Sequence, residues 1–143
     1  MPHPRQQIRE AVTKRLAETF ANVYNSRAKP LFDQDLPAVL VYCSSESIKQ
    51  ERWDTDGTGA LTRELDLFVE AVDTGKEDLD NKLDDMAEKI ESALDGWIIP
   101  NRNNAVLRFK GTDMDISIDA NKTYGAVRLA FSLTYFTDTQ NDT

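Results

Sequence analysis

The sequence predicts an α+β fold: a single mixed or antiparallel sheet of about five strands with two helices packed on it, in the order α-β-β-α-β-β-β. Three observations carry that expectation. Leu61–Val72 and Tyr124–Thr137 alternate apolar and polar residues, as strands with one wet face do. Pro4–Phe20 and the segment from Glu77 instead carry apolar residues at helical spacing. The 143 residues suit one domain, 1–143, with 138–143 as a polar tail that frays.

In the first helix Ile8, Ala11, Val12, Leu16 and Phe20 share a side. Pro4 suits its first position, where an N–H has no helical partner anyway. Asn22–Lys29 contains Val23 and Tyr24 but runs into Pro30, so it reads as a short edge strand or an extended connector. Pro37–Cys43 is apolar and rich in β-branched residues, a buried strand opened by a proline. The next strand, Leu61–Val72, places Leu61, Leu65, Leu67, Val69 and Ala71 on one face and Thr62, Glu64, Asp66 and Glu70 on the other. Between the two lies the polar stretch Ser44–Ala60, ending in Asp54-Thr55-Asp56-Gly57-Thr58-Gly59, whose residues supply the φ angles of a turn. The pair is therefore a hairpin with a long arm.

Thr74 and Glu77 have capping-box spacing, which starts the second helix. Its stripe is Leu79, Leu83, Met86, Ile90, Leu94 and Trp97, and Gly96 and Pro100 end it. Burying six such side chains contributes roughly 9–18 kcal/mol gross, whereas ordering each residue costs about 1–2 kcal/mol. The stripe must therefore lie on the sheet. The last third reads as three strands, Ala105–Lys110, Met114–Asp119 and Tyr124–Thr137, with turns at Gly111-Thr112 and Ala120-Asn121. In the last of them Val127, Leu129, Phe131, Leu133 and Tyr135 share a face.

Composition narrows function. Lys and Arg number 17 against 25 Asp and Glu, a net charge of −8 without a basic cluster, so specific nucleic-acid binding is not expected. Zinc sites and His-dependent nucleophiles would have to recruit His3, between two prolines at an end expected to be loose. The single Cys43 suits a reducing compartment and reads as a small buried residue. No stretch approaches the ~20 apolar residues of a membrane span, and MPHPRQQIRE lacks a signal peptide's apolar segment, so a soluble, cytoplasm-made protein is expected.

Asp54-x-Asp56-Gly57 invites a calcium loop, but the register puts Arg63 where the terminal acid belongs, and the flanks are strands where helices are needed. Asp78, Asp80, Asp84, Asp85, Glu88, Glu91 and Asp95 read as the wet side of an amphipathic helix. No catalytic residue, cofactor or metal ligand is assigned, and an enzyme is not expected. What stands out is the arm. Ile48 and Trp53 are apolar within a polar segment, and an aromatic on a projecting hairpin either anchors a partner or folds back on its own sheet. Ile48, Trp53 and Arg63 are the candidate subunit or partner interface.

In element order the chain resembles the tail terminator proteins of long-tailed phages, of the lambda minor-tail-protein-U type. The likeness rests on the amphipathic N-terminal helix and on the Phe32-Asp33 connector into Leu36-Pro37-Ala38-Val39-Leu40-Val41-Tyr42. It continues in the acidic arm with Glu51 and Trp53, the strand Glu64-Leu65-Asp66-Leu67-Phe68-Val69, the Asp-rich helix from Glu77 and the closing Leu133-Thr134-Tyr135. The chain departs from that type in a longer stretch around Asn101–Asn104 and a fuller Met114–Asp119 strand. The resemblance implies a hexameric ring on the tail tube protein that ends tube polymerisation and docks the head-tail connector proteins. It implies a virion tail location, with assembly in the host cytoplasm. The rival readings are another neck or tail-completion protein and a non-phage α+β ligand-binding domain.

Overall fold

The computed structural model describes residues 3–26, 28, 31–53, 59–100, 105–119 and 122–138. In chain order the elements are α1 (Pro4–Leu16), β1 (Val23–Tyr24), a 3-10 turn (Asp33–Asp35), β2 (Ala38–Trp53), β3 (Gly59–Gly75), α2 (Leu79–Leu94), β4 (Arg108–Asp119) and β5 (Lys122–Asp138). Five strands form one sheet in the order β1-β2-β3-β5-β4, with β1 parallel to β2 and the other pairs antiparallel. The expected class holds: two helices lie on a single mixed sheet. The order is α-β-β-β-α-β-β. Val23-Tyr24 pairs with Val39-Leu40 as a true strand. The expected turn at Gly111-Thr112 is instead a register shift inside one continuous β4, which lets the strand bend without ending.

Odd-numbered residues of β3 and β5 point to the helices. Leu65, Leu67, Val69 and Ala71 meet Val127, Leu129, Phe131 and Leu133, and the helix stripes close over them with Ile8, Val12, Leu16, Leu83, Ile90 and Leu94. α1 packs over β1 and β2, and α2 over β3, β5 and the near part of β4. Gly125 keeps the α2 contact close: a Cβ there would stand 2.6 Å from Leu83 Cδ1 and 2.9 Å from Ile116 Cδ1. The opposite face is half-buried and polar, with Tyr42 against Phe68, and Arg128 over the Phe68 ring while bonded to Asp113.

Helix boundaries depart from the expected ones for local reasons. His3 is not loose: its Nδ1 accepts the Arg5 N–H at 3.0 Å and caps α1 directly before Pro4. The Thr74–Glu77 capping box does not form, because β3 runs through Gly75 and the Thr74 hydroxyl donates to the Thr123 carbonyl across the sheet. α2 begins after Asp78 and ends before Gly96, whose φ of +77° carries the chain out while its N–H donates to the Leu107 carbonyl. Trp97 lies beyond the helix, under the Arg15 guanidinium.

The strands outrun the helices. At roughly 3.3 Å per residue the 17 residues of β3 reach about 56 Å, while the 16 residues of α2 reach about 24 Å at 1.5 Å each. The arm is the uncovered end. It is a three-stranded extension, because β5 follows β3 as far as Ala60, opposite Asp138.

Candidate functional site

The arm and its base are the places where this fold presents something other than a core. β2 does not stop at Cys43 as the apolar run suggests but continues to Trp53, opposite Gly59. It does so with two register shifts, one between Cys43 and Ser45 and one between Ile48 and Gln50. The first inverts the alternation: Val39, Val41 and Cys43 face the helices before it, and Glu46, paired with Leu65, faces them after it. A carboxylate is thereby turned toward the core side at the helices' edge.

Three side chains meet Glu46. Arg63 Nη1 donates to its Oε1 at 2.6 Å and Arg5 Nη1 to the same oxygen at 2.8 Å, while the Tyr135 hydroxyl donates to Oε2. Arg63 Nε also donates to the Thr137 hydroxyl at 2.8 Å, completing a network from α1, β2, β3 and β5. Burial alone pushes the Glu46 carboxyl up; the Tyr135 hydroxyl and the Arg63 and Arg5 guanidiniums outweigh it and hold the group below the ordinary glutamate value. Tyr135 is held above the ordinary tyrosine value by burial and then by its bond to this carboxylate. The network is a fixed ionic joint where the arm leaves the covered part of the sheet. Each member has its charge or hydroxyl committed, so it positions the arm and offers no nucleophile or free general base.

Of the three predicted interface residues, two are placed in full. Ile48 is 46% exposed on the helix side of the arm, opposite Arg63. Arg63 itself is only 6% exposed and is a member of the joint. Trp53 is placed by its backbone at the far end of β2, and its side chain lies outside the described residues, as do the Asp54–Gly57 turn and Asn101–Asn104. The residues not anticipated are Arg5, Glu46, Tyr135 and Thr137. One signal was present: Arg63 sits at an odd position among Leu61, Leu65 and Leu67, and a charge on an apolar strand face requires a buried partner.

Beside the joint is a cavity of about 280 Å³ lined by Arg5, Arg9, Cys43, Ser44 and Ser45. Arg9 Nε donates to Asn25 Oδ1 at 3.1 Å. Burial raises the Cys43 thiol above its ordinary value, with Arg9 and Arg5 opposing, so it is held as a thiol. Among the described residues, no group of three or more His, Cys, Asp and Glu is gathered as a metal site, and no helix is long and apolar enough to cross a membrane.

No curated protein matches the sequence. Among solved structures, a chain from the virion of the native gene transfer agent (GTA) particle superposes with a TM-score of 0.59 at 14% identity, covering 91% of this chain and 95% of that one. That likeness is one of fold. The family model described as phage minor tail protein U matches residues 3–135, from the His3 cap of α1 to Tyr135 of the joint. With that match spanning nearly all of the sheet and both helices, the chain belongs to the phage minor tail protein U family, the structural proteins of the phage tail.

Proposed function

We propose that this protein is a tail terminator: a ring of six copies that seats on the head-proximal end of the tail tube, ends its polymerisation and presents the surface to which the head connector docks. The observation that carries the reading is the family match over residues 3–135. Physical reasoning supports it. A stack of rings joined by heterologous faces stays open until a subunit arrives that copies one docking face and fails to offer the next. A net charge of −8 suits a protein surrounding a DNA passage, since like charges on the wall reduce adhesion.

In this reading the arm is the docking element. Ile48 and Trp53 touch the tube or a neighbouring copy, and Arg63 acts from inside by fixing the angle at which the arm projects. Assembly takes place in the host cytoplasm, and the product stays in the virion. The reading asks for no catalysis and no cofactor. The test is polymerisation of the cognate tube subunits with and without the purified protein. The expected result is tubes that stop growing and carry a cap at one end. Tubes of unregulated length in excess protein, with no tube subunit recovered in pull-downs, overturn the terminator reading in favour of another neck or tail-completion protein.

A further inference from the structure

The two lateral flanks of the sheet are chemically opposite and bare in the same way. α1, over the β1–β2 flank, carries Arg5, Arg9, Lys14 and Arg15 against one acid, Glu10. α2, toward the other flank, carries Asp80, Asp84, Asp85, Glu88 and Glu91 against Lys82 and Lys89, all five acids exposed. Within α1, Arg9 is on the outward side, toward Asn25, while Arg5 is paired with Glu46 in the joint and Arg15 turns inward to the Ala93 carbonyl. Within α2, helical spacing puts Asp80, Asp84 and Glu91 on the side nearest β4, the side on which Asp95 accepts the Phe109 N–H.

Each flank also exposes apolar surface next to a strand edge. β1 covers only Val39 and Leu40 of β2, so among the described residues β2 has no strand partner on that side from Val41 onward. Among the described residues β4 is the other edge, with its Phe109 N–H donated to Asp95. The β4 register shift after Phe109 puts Met114, Ile116 and Ile118 on the helix face, opposite Val127, Gly125 and Thr123, where Met114 is 65% and Ile118 76% exposed. A long edge strand with an uncovered apolar row is a surface that lone proteins avoid. Phe32, 62% exposed, stands by the Asn22–Asp35–Pro37 hydrogen bonds at the start of β2.

The levels match. Through the register, Val39 of β2 aligns with Ala71, Val127 and Met114, and the Val39 N–H donates to the carbonyl of Asn22, whose side chain donates to the Asp35 carbonyl of the Phe32–Asp35 loop. Cys43, beside Arg9, aligns with Leu67, Phe131 and Phe109, the level of Asp95 and the C-terminal turn of α2 with Glu91. Apolar surface and charges of opposite sign thus stand at corresponding levels on the two flanks.

We propose that copies of this chain join head to tail through these flanks, the β4–α2 flank of one seated on the β1–β2–α1 flank of the next. The contact rests on the ring reading above and deepens it. It is heterologous, so each copy keeps one used and one open flank until a ring closes, and opposite charges set which flank meets which.

The experiment is complementation by native mass spectrometry. One variant, Met114→Arg/Ile118→Arg, spoils the β4 flank; another, Phe32→Asp/Arg9→Glu, spoils the β2 flank; Phe32→Asp alone replaces the second should it not fold. Each alone is expected to lose self-association at least tenfold against the wild type. Mixed, the two are expected to form one-to-one heterodimers that grow no further, because one good flank remains on each. Absence of the heterodimer, homodimers of either variant, or self-association equal to the wild type overturns the inference. If those variants, or a wild type monomeric in solution, still cap tails, the terminator reading survives its loss; a wild type that neither associates nor caps removes both.

Discussion

Replacing Arg63 by methionine isolates the joint at the base of the arm. The side chains of Arg63 and Glu46 are 7% and 11% exposed, which places their 2.6 Å pair among buried ion pairs and not among surface ones worth about 0–1 kcal/mol. Removing one member of a buried pair costs about 3–5 kcal/mol, because the other charge stays desolvated. The lower value is expected here, since Arg5 still reaches Glu46 Oε1 at 2.8 Å. With a urea slope of about 1–3 kcal/mol per molar for a small protein, a loss of ~3 kcal/mol lowers the unfolding midpoint by about 1–3 M. Adding Glu46→Gln removes the stranded charge while leaving an acceptor for the Tyr135 hydroxyl. The double variant should therefore recover at least ~1 kcal/mol over Arg63→Met alone. Urea titrations of the four proteins at neutral pH are the assay. A midpoint within error of the wild type for Arg63→Met, or a double variant that loses the sum of the two single losses, would refute the joint as a mutually dependent network.

The same carboxylate gives a pH signature: its folded value lies below that of the unfolded chain, so its contribution is complete above about pH 4.3 and disappears as pH falls through the folded value. Glu46→Gln should remove that part of the acid dependence in urea titrations taken from pH 6 to 3. Leu83→Asp puts a charge in the helix–sheet core and should leave the chain unfolded by circular dichroism at neutral pH. Trp53→Ala should keep the wild-type melting temperature while weakening assembly by at least ~1 kcal/mol per interface, as light scattering would read; equal losses of fold and assembly would place Trp53 in the core. Gly96→Ala forces a Cβ onto a φ of +77° with open space around it, so a backbone-only loss of about 1–2 kcal/mol is expected in the melting curve.

Elements whose side-chain period matches their environment were legible. The β5 face Val127–Tyr135 and the α2 stripe Leu79–Leu94 are the halves of the core, and each repeats at the spacing its burial demands. What the pattern hid were changes of parity. A register shift at Ser44 carries no marker in composition, yet it decides that Glu46 and not Ser45 meets Arg63, Arg5 and Tyr135. The shift at Gly111 resembled a turn because glycine serves both, and only pairing along β5 separates the two. Thr74–Glu77 resembled a cap because spacing cannot show that Thr74 is engaged across a strand. The residues expected at an interface divide similarly. Ile48 is exposed as an apolar residue in a polar stretch should be, whereas Arg63 was recognisable as unusual but not as buried until three strands and a helix converged on it.

A terminator has one place in the assembled particle. Electron cryomicroscopy of tails purified with it should show, at the head-proximal end of the tube and nowhere else, one six-fold ring whose mass is six times the 16.2 kDa chain. Each subunit's density should accept the five-stranded sheet with its arm directed at the tube or a neighbouring copy. Density for this fold at the distal tip or repeated along the tube, or a tube end ordered without it, would contradict the terminator assignment.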